Sequence, residues 1–489
     1  MSHLYLGFDV GTQGTKGLLL DADSGAIVAR AAAHHELIAG LPPGAAEQHP
    51  EAWVAAVRDV AAQLLAAVPG AAARVAGVGV AGQQHGLVVL DAQRQVVRPC
   101  KLWCDTSTAA EAAELSTALH RRVPVGYTAS KILWLRRAEE KNWRRVQHVL
   151  LPHDFVNERL TGQPAMEAGD ASGTGFFDPV RRTFDEEVMR WIDPRLPDLV
   201  PPLIGAGEPA GRLSPSGAAL LGLREGVPVA AGAGDNMAAA IGSGATRPGV
   251  VVCSLGTSGT VFSYADRPVV DPQGLIAPFC DSTGGWLPLL CVMNCTNVTE
   301  EVRAAFPSMS LDELTRAAEA VRPGCEGALW LPYLQGERVP DLPLASGTLL
   351  GLRAGALRPG VLFRAALEGV ALNLGWGVQR LRELGLRVDA VRLVGGGAQN
   401  PLWRQILADV FGAPVVSLAE PEAAALGAAI QACWTARRLA GEKVSCDEVA
   451  QRVVPAGGKA VQPDAARSDM YREAGGRFRA AVTALHGGS

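Results

Sequence analysis

The chain opens on an alternating apolar run, Leu4, Leu6, Phe8 and Val10, followed by a turn rich in Gly and Thr and a second apolar stretch from Gly17 to Leu20. Alternation with period two, broken by small turn residues, predicts a β-hairpin over Leu4 to Asp21 with Asp9 at the end of its first strand. The same grammar returns about 245 residues later, where Val250-Val-Val-Cys-Ser-Leu255 leads into Gly256-Thr-Ser-Gly259 and then Thr260-Val-Phe-Ser-Tyr264. Helical spacing replaces alternation at Pro50 to Val68, with Trp53, Val57, Val60 and Leu64 on one face, and again at Phe363 to Leu381 and Pro401 to Phe411. Gly77-Val-Gly-Val-Ala-Gly82 matches a dinucleotide-binding fingerprint by letter. Val78 and Val80 alternate through it, however, and a second apolar run, Leu87 to Leu90, follows in place of a helix, which predicts a strand.

A length of 489 residues exceeds what one hydrophobic core fills, so two domains are expected. Gly242-Ser-Gly-Ala-Thr-Arg-Pro-Gly249 has the composition of a hinge and separates the two hairpin units. The reading is therefore α/β, with domains at 1–243 and 244–489.

A net charge of −4 offers no field for a phosphate backbone, which argues against nucleic acid as a partner. Nine cysteines at irregular spacing make no disulfide framework and suit reduced thiols in the cytoplasm. The four-residue steps Cys100 to Cys104 and Cys291 to Cys295 lack the histidines of a zinc site and read as buried thiols. No basic segment with an apolar stretch behind it precedes Val10, and no run of about 18 apolar residues occurs, so neither export nor a membrane partner is expected.

Three Gly-rich turns are candidates for holding phosphate, because backbone NH groups unshielded by Cβ approach an anion closely. They are Gly11-Thr-Gln-Gly-Thr15, Gly256-Thr-Ser-Gly259 and Gly395-Gly-Gly-Ala-Gln-Asn400. Singly, each is equally a tight turn; their joint presence in a chain without a Walker A loop points to a nucleotide held in another way. Two acids end strand-like runs, Asp9 and Asp235. Phosphoryl transfer to an alcohol needs one carboxylate at the metal and another that accepts the hydroxyl proton, and this pair can divide those roles. The structural alternatives are a hairpin-turn residue for Asp9 and an Asx turn or N-cap for Asp235 ahead of Asn236-Met-Ala-Ala-Ala. Gln83-Gln84-His85 and Trp103-Cys104-Asp105 follow apolar runs and supply polar groups for a polyhydroxyl ligand.

The motifs Tyr5-Leu-Gly-Phe-Asp-Val-Gly-Thr-Gln-Gly-Thr-Lys16, Cys253-Ser-Leu-Gly-Thr-Ser-Gly259 and Val394-Gly-Gly-Gly-Ala-Gln-Asn400 together resemble the FGGY family of carbohydrate kinases, and most of all its xylulokinase branch. Gly126 to Trp134, Gly232 to Asn236 and Leu331 to Arg338 extend the resemblance in the same order. It implies two ribonuclease H-like (actin-like ATPase) domains with mixed sheets around a central interdomain cleft. The first would carry the sugar site, the first phosphate hairpin and the base, the second the other hairpin and the adenosine site. It further implies ATP as co-substrate, Mg²⁺ held near Asp9 through water, and Asp235 as catalytic base. Gln84, His85, Asp105, Asp235 and Asn236 would face the sugar. Thr12, Gln13, Lys16, Gly256, Thr257, Gly396, Gly397, Ala398 and Asn400 would lie along the nucleotide. The implied acceptor is the terminal hydroxyl of a pentulose, D-xylulose first, with ribulose or an erythritol-type polyol as alternatives and a regulatory actin-like ATPase as the reading from another class. A homodimer is the assembly common for such enzymes. Gln84, Cys104 and Ser107 depart from the branch's usual residues, and the segment 108–125 is shortened.

Overall fold

The computed structural model describes residues 2–454 and 457–487; residues 1 and 489, the outer limits of the two expected domains, lie outside that set. The chain forms two compact α/β units. Unit 1 holds the chain up to Thr246 together with Phe279–Leu287 and Glu422–Val454, and unit 2 holds Arg247–Pro278, Pro288–Pro421 and the chain after Val454.

Unit 1 is built on a mixed sheet. Its strands are β1 (Leu4–Val10), β2 (Gly14–Asp21), β3 (Ala26–His34), β4 (Val75–Gly82), β5 (Pro209–Arg212), β6 (Pro228–Ala230) and β7 (Ala233–Gly234). The order is β5-β6-β4-β1-β2-β3, with β7 also paired to β4. β1 and β2 form the expected antiparallel hairpin, while β1 runs parallel to β4. The register pairs Val10 with Gly82 and Gly82 with Gly234, so the chain leaves β1, β4 and β7 at one edge of the sheet. Ligand sites of α/β sheets form at such a carboxyl edge.

Helices cover this sheet for different reasons. α1 (Pro50–Ala67) buries Trp53, Val57, Val60 and Leu64, each contributing about 1.5–3 kcal/mol by leaving water. α2 (Thr128–Ala138) packs instead into a separate cluster with Val149, Phe176 and Met189, α3 (Pro152–Thr161) lies on the sheet, and α4 (Asp235–Gly242) starts directly after β7. The Ala- and Gly-rich helix Ala423–Leu439 approaches β1 and β4 so closely that a Cβ on Gly7 would stand 2.1 Å from the Ala425 carbonyl oxygen, and one on Gly79 2.0 Å from that of Ala428.

Unit 2 repeats the hairpin grammar. Its central strands are β8 (Gly249–Leu255) and β9 (Gly259–Ser263), joined on one side by β10 (Ala277–Cys280) and β11 (Trp286–Val292), whose residues Phe279, Cys280, Trp286 and Leu287 group with unit 1, and on the other by β12 (Val388–Val394) and β13 (Val415–Ser417). β8 is antiparallel to β9 and parallel to β12, with Ser254 opposite Val394. Against this sheet pack α5 (Thr296–Ala305), α6 (Pro359–Glu383) and α7 (Pro401–Phe411), which makes the Ala423–Leu439 helix α8. α6 buries Phe363, Leu367, Val370, Leu374, Val378 and Leu381 at helical spacing. Among the described residues it is the one helix long and apolar enough to cross a membrane, and 83% of its apolar window is buried inside the protein.

Candidate active site

Three loops of unit 1 converge because their strands share an edge. The Gly11–Gln13 turn follows β1, Gln83-Gln84-His85 follows β4, and Asp235-Asn236 follows β7. Thr12 fastens the first turn: its Oγ1 donates to Gln83 Oε1 at 3.1 Å and accepts from Trp103 Nε1 at 3.0 Å, and its carbonyl accepts from Gln48 Nε2 at 2.6 Å. Gln13 is exposed on the same turn. Lys16, also exposed, forms an ion pair with Glu422 at 2.8 Å.

Asp235 is the first residue of α4, and Gly234 occupies the N-cap position. Its Oδ1 accepts from the Asn236 backbone NH at 2.7 Å and from Asn236 Nδ2 at 2.9 Å. Asn236 Nδ2 also donates to Gln84 Oε1 at 2.9 Å, and Gln84 Nε2 lies 3.5 Å from Asp170 Oδ1. Burial and the nearby charge of Asp9 push the Asp235 carboxyl up to about 7. Burial likewise pushes Asp9 up to about 6, with Lys16 working in the opposite direction. A carboxyl poised near neutrality can hold or release a proton at small cost, as a general base must.

Behind Gln84 lies a group of buried ionisable residues that the sequence reading did not single out. His153 Nδ1 meets Asp170 Oδ2 at 2.8 Å and its Nε2 stands 3.0 Å from Asp154 Oδ1. Burial opposes a charged imidazole, yet the Asp154 charge and the Asp170 hydrogen bond outweigh it and hold His153 up at about 9. Burial pushes Asp154 and Glu167 up to about 7. Their only local signal is polarity within otherwise apolar surroundings, which does not reveal who meets whom.

Asp105 is fully buried and engaged by the protein itself. Its Oδ1 accepts from the Ser107 NH and Oγ, and its Oδ2 from the Ala46 NH and Lys101 Nζ. Ser107, one of the departures noted in the sequence, receives a further hydrogen bond from Lys101 Nζ at 2.8 Å.

In unit 2 the parallel pairing of β8 with β12 brings the Gly256-Thr257 turn and the Gly395–Asn400 segment to one sheet edge. The turn is docked on the start of α5, where Thr296 NH donates to the Gly256 carbonyl at 3.0 Å and Cys295 NH to that of Thr257 at 3.1 Å. Gly396 has open space at its Cβ position, whereas a Cβ on Gly397 would press on Trp403 at 2.7 Å. Ala398 is buried, and its carbonyl accepts from Ser417 Oγ. Asn400 caps α7 through the Trp403 NH at 3.0 Å.

Among the described residues no cluster of three or more His, Cys, Asp or Glu could enclose a metal ion. A Mg²⁺ ion that takes its other ligands from phosphates and water needs only one or two carboxylates. Asp9 fits that demand, since its buried Oδ1 has no hydrogen-bond partner.

The N-terminal domain model of the FGGY family of carbohydrate kinases matches residues 4–242, and its C-terminal domain model matches residues 251–436. The xylulose kinase of Haemophilus influenzae is 40% identical over 447 residues, covering 88% of this chain and 90% of that protein. The crystal structure of a "xyloylose kinase" from Brucella ovis superposes with a TM-score of 0.92 at 31% identity over 99% of each chain. A gluconate kinase from Lactobacillus acidophilus shares the fold, with a TM-score of 0.90 at 23% identity over 100% of this chain and 99% of its own. Two mixed α/β sheets with a Gly-rich hairpin in each, in a chain matched along most of its length, leave one assignment: the protein belongs to the FGGY family of carbohydrate kinases.

Proposed function

We propose that the protein transfers the γ-phosphoryl group of ATP to the terminal hydroxyl of D-xylulose, giving D-xylulose 5-phosphate and ADP. The observation that carries this reading is Asp235: a half-buried carboxyl raised to about 7, at the start of α4, beside the paired amides of Asn236 and Gln84. Fold alone does not choose a sugar, since one architecture hosts several chemistries. The choice of xylulose rests on the identity to relatives bearing that name.

In this reading Asp235 accepts the hydroxyl proton as the sugar oxygen bonds to the γ-phosphorus and the bond to the β,γ-bridging oxygen breaks, releasing ADP. General-base assistance of this kind contributes a factor of about 10²–10⁴. Gln84, His85 and Asn236 orient the sugar, and Asp105 acts through the loop it holds. Thr12, Gln13 and Lys16 of unit 1, and Gly256, Thr257, Gly396, Gly397, Ala398 and Asn400 of unit 2, are the nucleotide-contacting groups each unit supplies. Asp9 would hold Mg²⁺, and the ion when bound would neutralise phosphate charge. No disulfide joins any of the nine cysteines, which suits a reducing cytoplasm.

The test is ADP release over a panel of ketoses, polyols and aldonates. D-Xylulose is expected to give the highest kcat/KM; a panel in which no ketose stimulates ADP release overturns the reading.

A further inference from the structure

His85 adopts a left-handed backbone with φ 64°, a conformation strained for a non-glycine residue that persists only where the surroundings impose it. The surroundings do so from two sides. On the main chain, the His85 carbonyl accepts from Thr128 Oγ1 at 3.1 Å and from Lys131 Nζ at 3.0 Å. On the side chain, the imidazole lies against Tyr127, with ring centroids 4.9 Å apart, and stacks at 6.1 Å on Phe279. Gly173 makes room for the ring, because a Cβ there would stand 2.0 Å from its Cε1 and Nδ1.

Lys131 is unusual in its own right. Its side chain is fully buried on α2, and the acceptors of its ammonium are main-chain carbonyls: His85, Gly126 and Tyr127. Burial holds it down at about 7. An ammonium removed from water and satisfied by carbonyl dipoles is costly, and a methionine of similar length would pack without that cost. What the charge supplies is a fixed distance between the start of α2 and the loop after β4. Thr128 and Lys131 sit one helical turn apart and reach the same carbonyl.

We propose that Lys131, with Thr128, is a positioning residue for sugar binding: the pair grips the His85 carbonyl and so presents the His85 imidazole to the substrate. The proposal rests on the reading of His85 as a sugar-facing residue and deepens it. Neither Lys131 nor Thr128 touches the reacting atoms in this account; both act through His85.

The experiment compares wild type with Lys131→Met and Thr128→Val, using protein labelled at histidine ¹³Cε1 and a His85→Gln variant to assign the His85 signal. In sugar-free protein the His85 signal is expected to move in both variants. The KM for the sugar is expected to rise about tenfold in K131M and about threefold in T128V, with the KM for ATP within about twofold of wild type. A folded K131M with an unmoved His85 signal, or with an unchanged sugar KM, overturns the proposal. Should K131M fail to fold, T128V decides alone by the same two readouts. The ring signal is read without sugar, so a wild type that phosphorylates no ketose refutes the pentulose reading and leaves the test of the grip intact.

Discussion

Asn236 Nδ2 donates to both Gln84 Oε1 and Asp235 Oδ1, at 2.9 Å each, so one amide group joins the loop after β4 to the carboxylate at the start of α4. A hydrogen bond to the ionised form favours ionisation, and here it partly offsets the burial that drives Asp235 up. Asn236→Ala removes that donor and is expected to raise the Asp235 pKa further, by about one unit. In wild type the base is ionised above about pH 7, so kcat/KM for the free enzyme falls on the acid side of that value. In N236A the acid limb of the kcat/KM profile moves toward higher pH. A limb that stays in place would separate Asn236 from the tuning of the base.

Asp235→Asn keeps the volume and most of the polarity of the side chain but cannot accept the hydroxyl proton. The expected result is a fall in kcat of about 10²–10⁴, with the sugar and ATP dissociation constants changed by only a few fold. Single-turnover phosphoryl transfer and equilibrium titration read the two quantities separately. A loss confined to sugar affinity would remove Asp235 from the proton transfer.

Stability should depend on pH in a defined direction. Asp9 is raised to about 6, Asp154, Glu167 and Asp235 to about 7, and His153 to about 9. Each therefore binds its proton more tightly folded than unfolded. The carboxyls give their stabilising contribution in full below the ordinary carboxylate range and lose it as pH rises through about 6 to 7. His153 gives its contribution in full below an ordinary imidazole value and loses it as pH rises through about 9. Lys131, held down at about 7, acts in the opposite sense above that pH. Five groups outweigh one, so urea unfolding of the ligand-free protein is expected to show a free energy lower at pH 9 than at pH 6 by more than about 1.4 kcal/mol, the value of one unit of pKa separation. A flat or rising profile would contradict the buried-charge account.

Much of the site was legible because its signals are local. Alternation broken by Gly and Thr located both hairpins, and the ends of the apolar runs located Asp9, Asp235 and the Gln84-His85 loop within a residue or two. The helix edges at Pro50 and Pro401 followed from proline at the first turn. What stayed hidden depends on long-range meetings. Lys131 lies inside a motif used for the family resemblance, yet nothing in its neighbours says that its ammonium reaches the carbonyl of His85, 46 residues away. The reading ended the first domain at residue 243, whereas α8 and the chain to Val454 group with unit 1. That grouping arises because Gly7, Gly79 and Gly242 meet backbone of α8, a fit that no single segment announces.

The closest of these meetings gives a last prediction. A Cβ on Gly427 of α8 would stand 1.8 Å from the Ala238 carbonyl oxygen, and one on Gly242 the same distance from that of Ala423. These are backbone atoms, so relief requires α4 and α8 to separate rather than a side chain to rotate. Gly427→Ala is expected to destabilise unit 1 by about 1–3 kcal/mol, as other overpacking substitutions do. Separation also displaces α4, whose first residues are Asp235 and Asn236, so kcat should fall even in molecules that remain folded. The same change at Gly476, where a Cβ meets nothing within 4 Å, serves as the control and is expected to be neutral or slightly stabilising, because alanine favours helix over glycine. Urea midpoints and kcat measured on both variants decide the matter: equal values for Gly427→Ala and Gly476→Ala would mean that the contact between α4 and α8 does not set the position of the base.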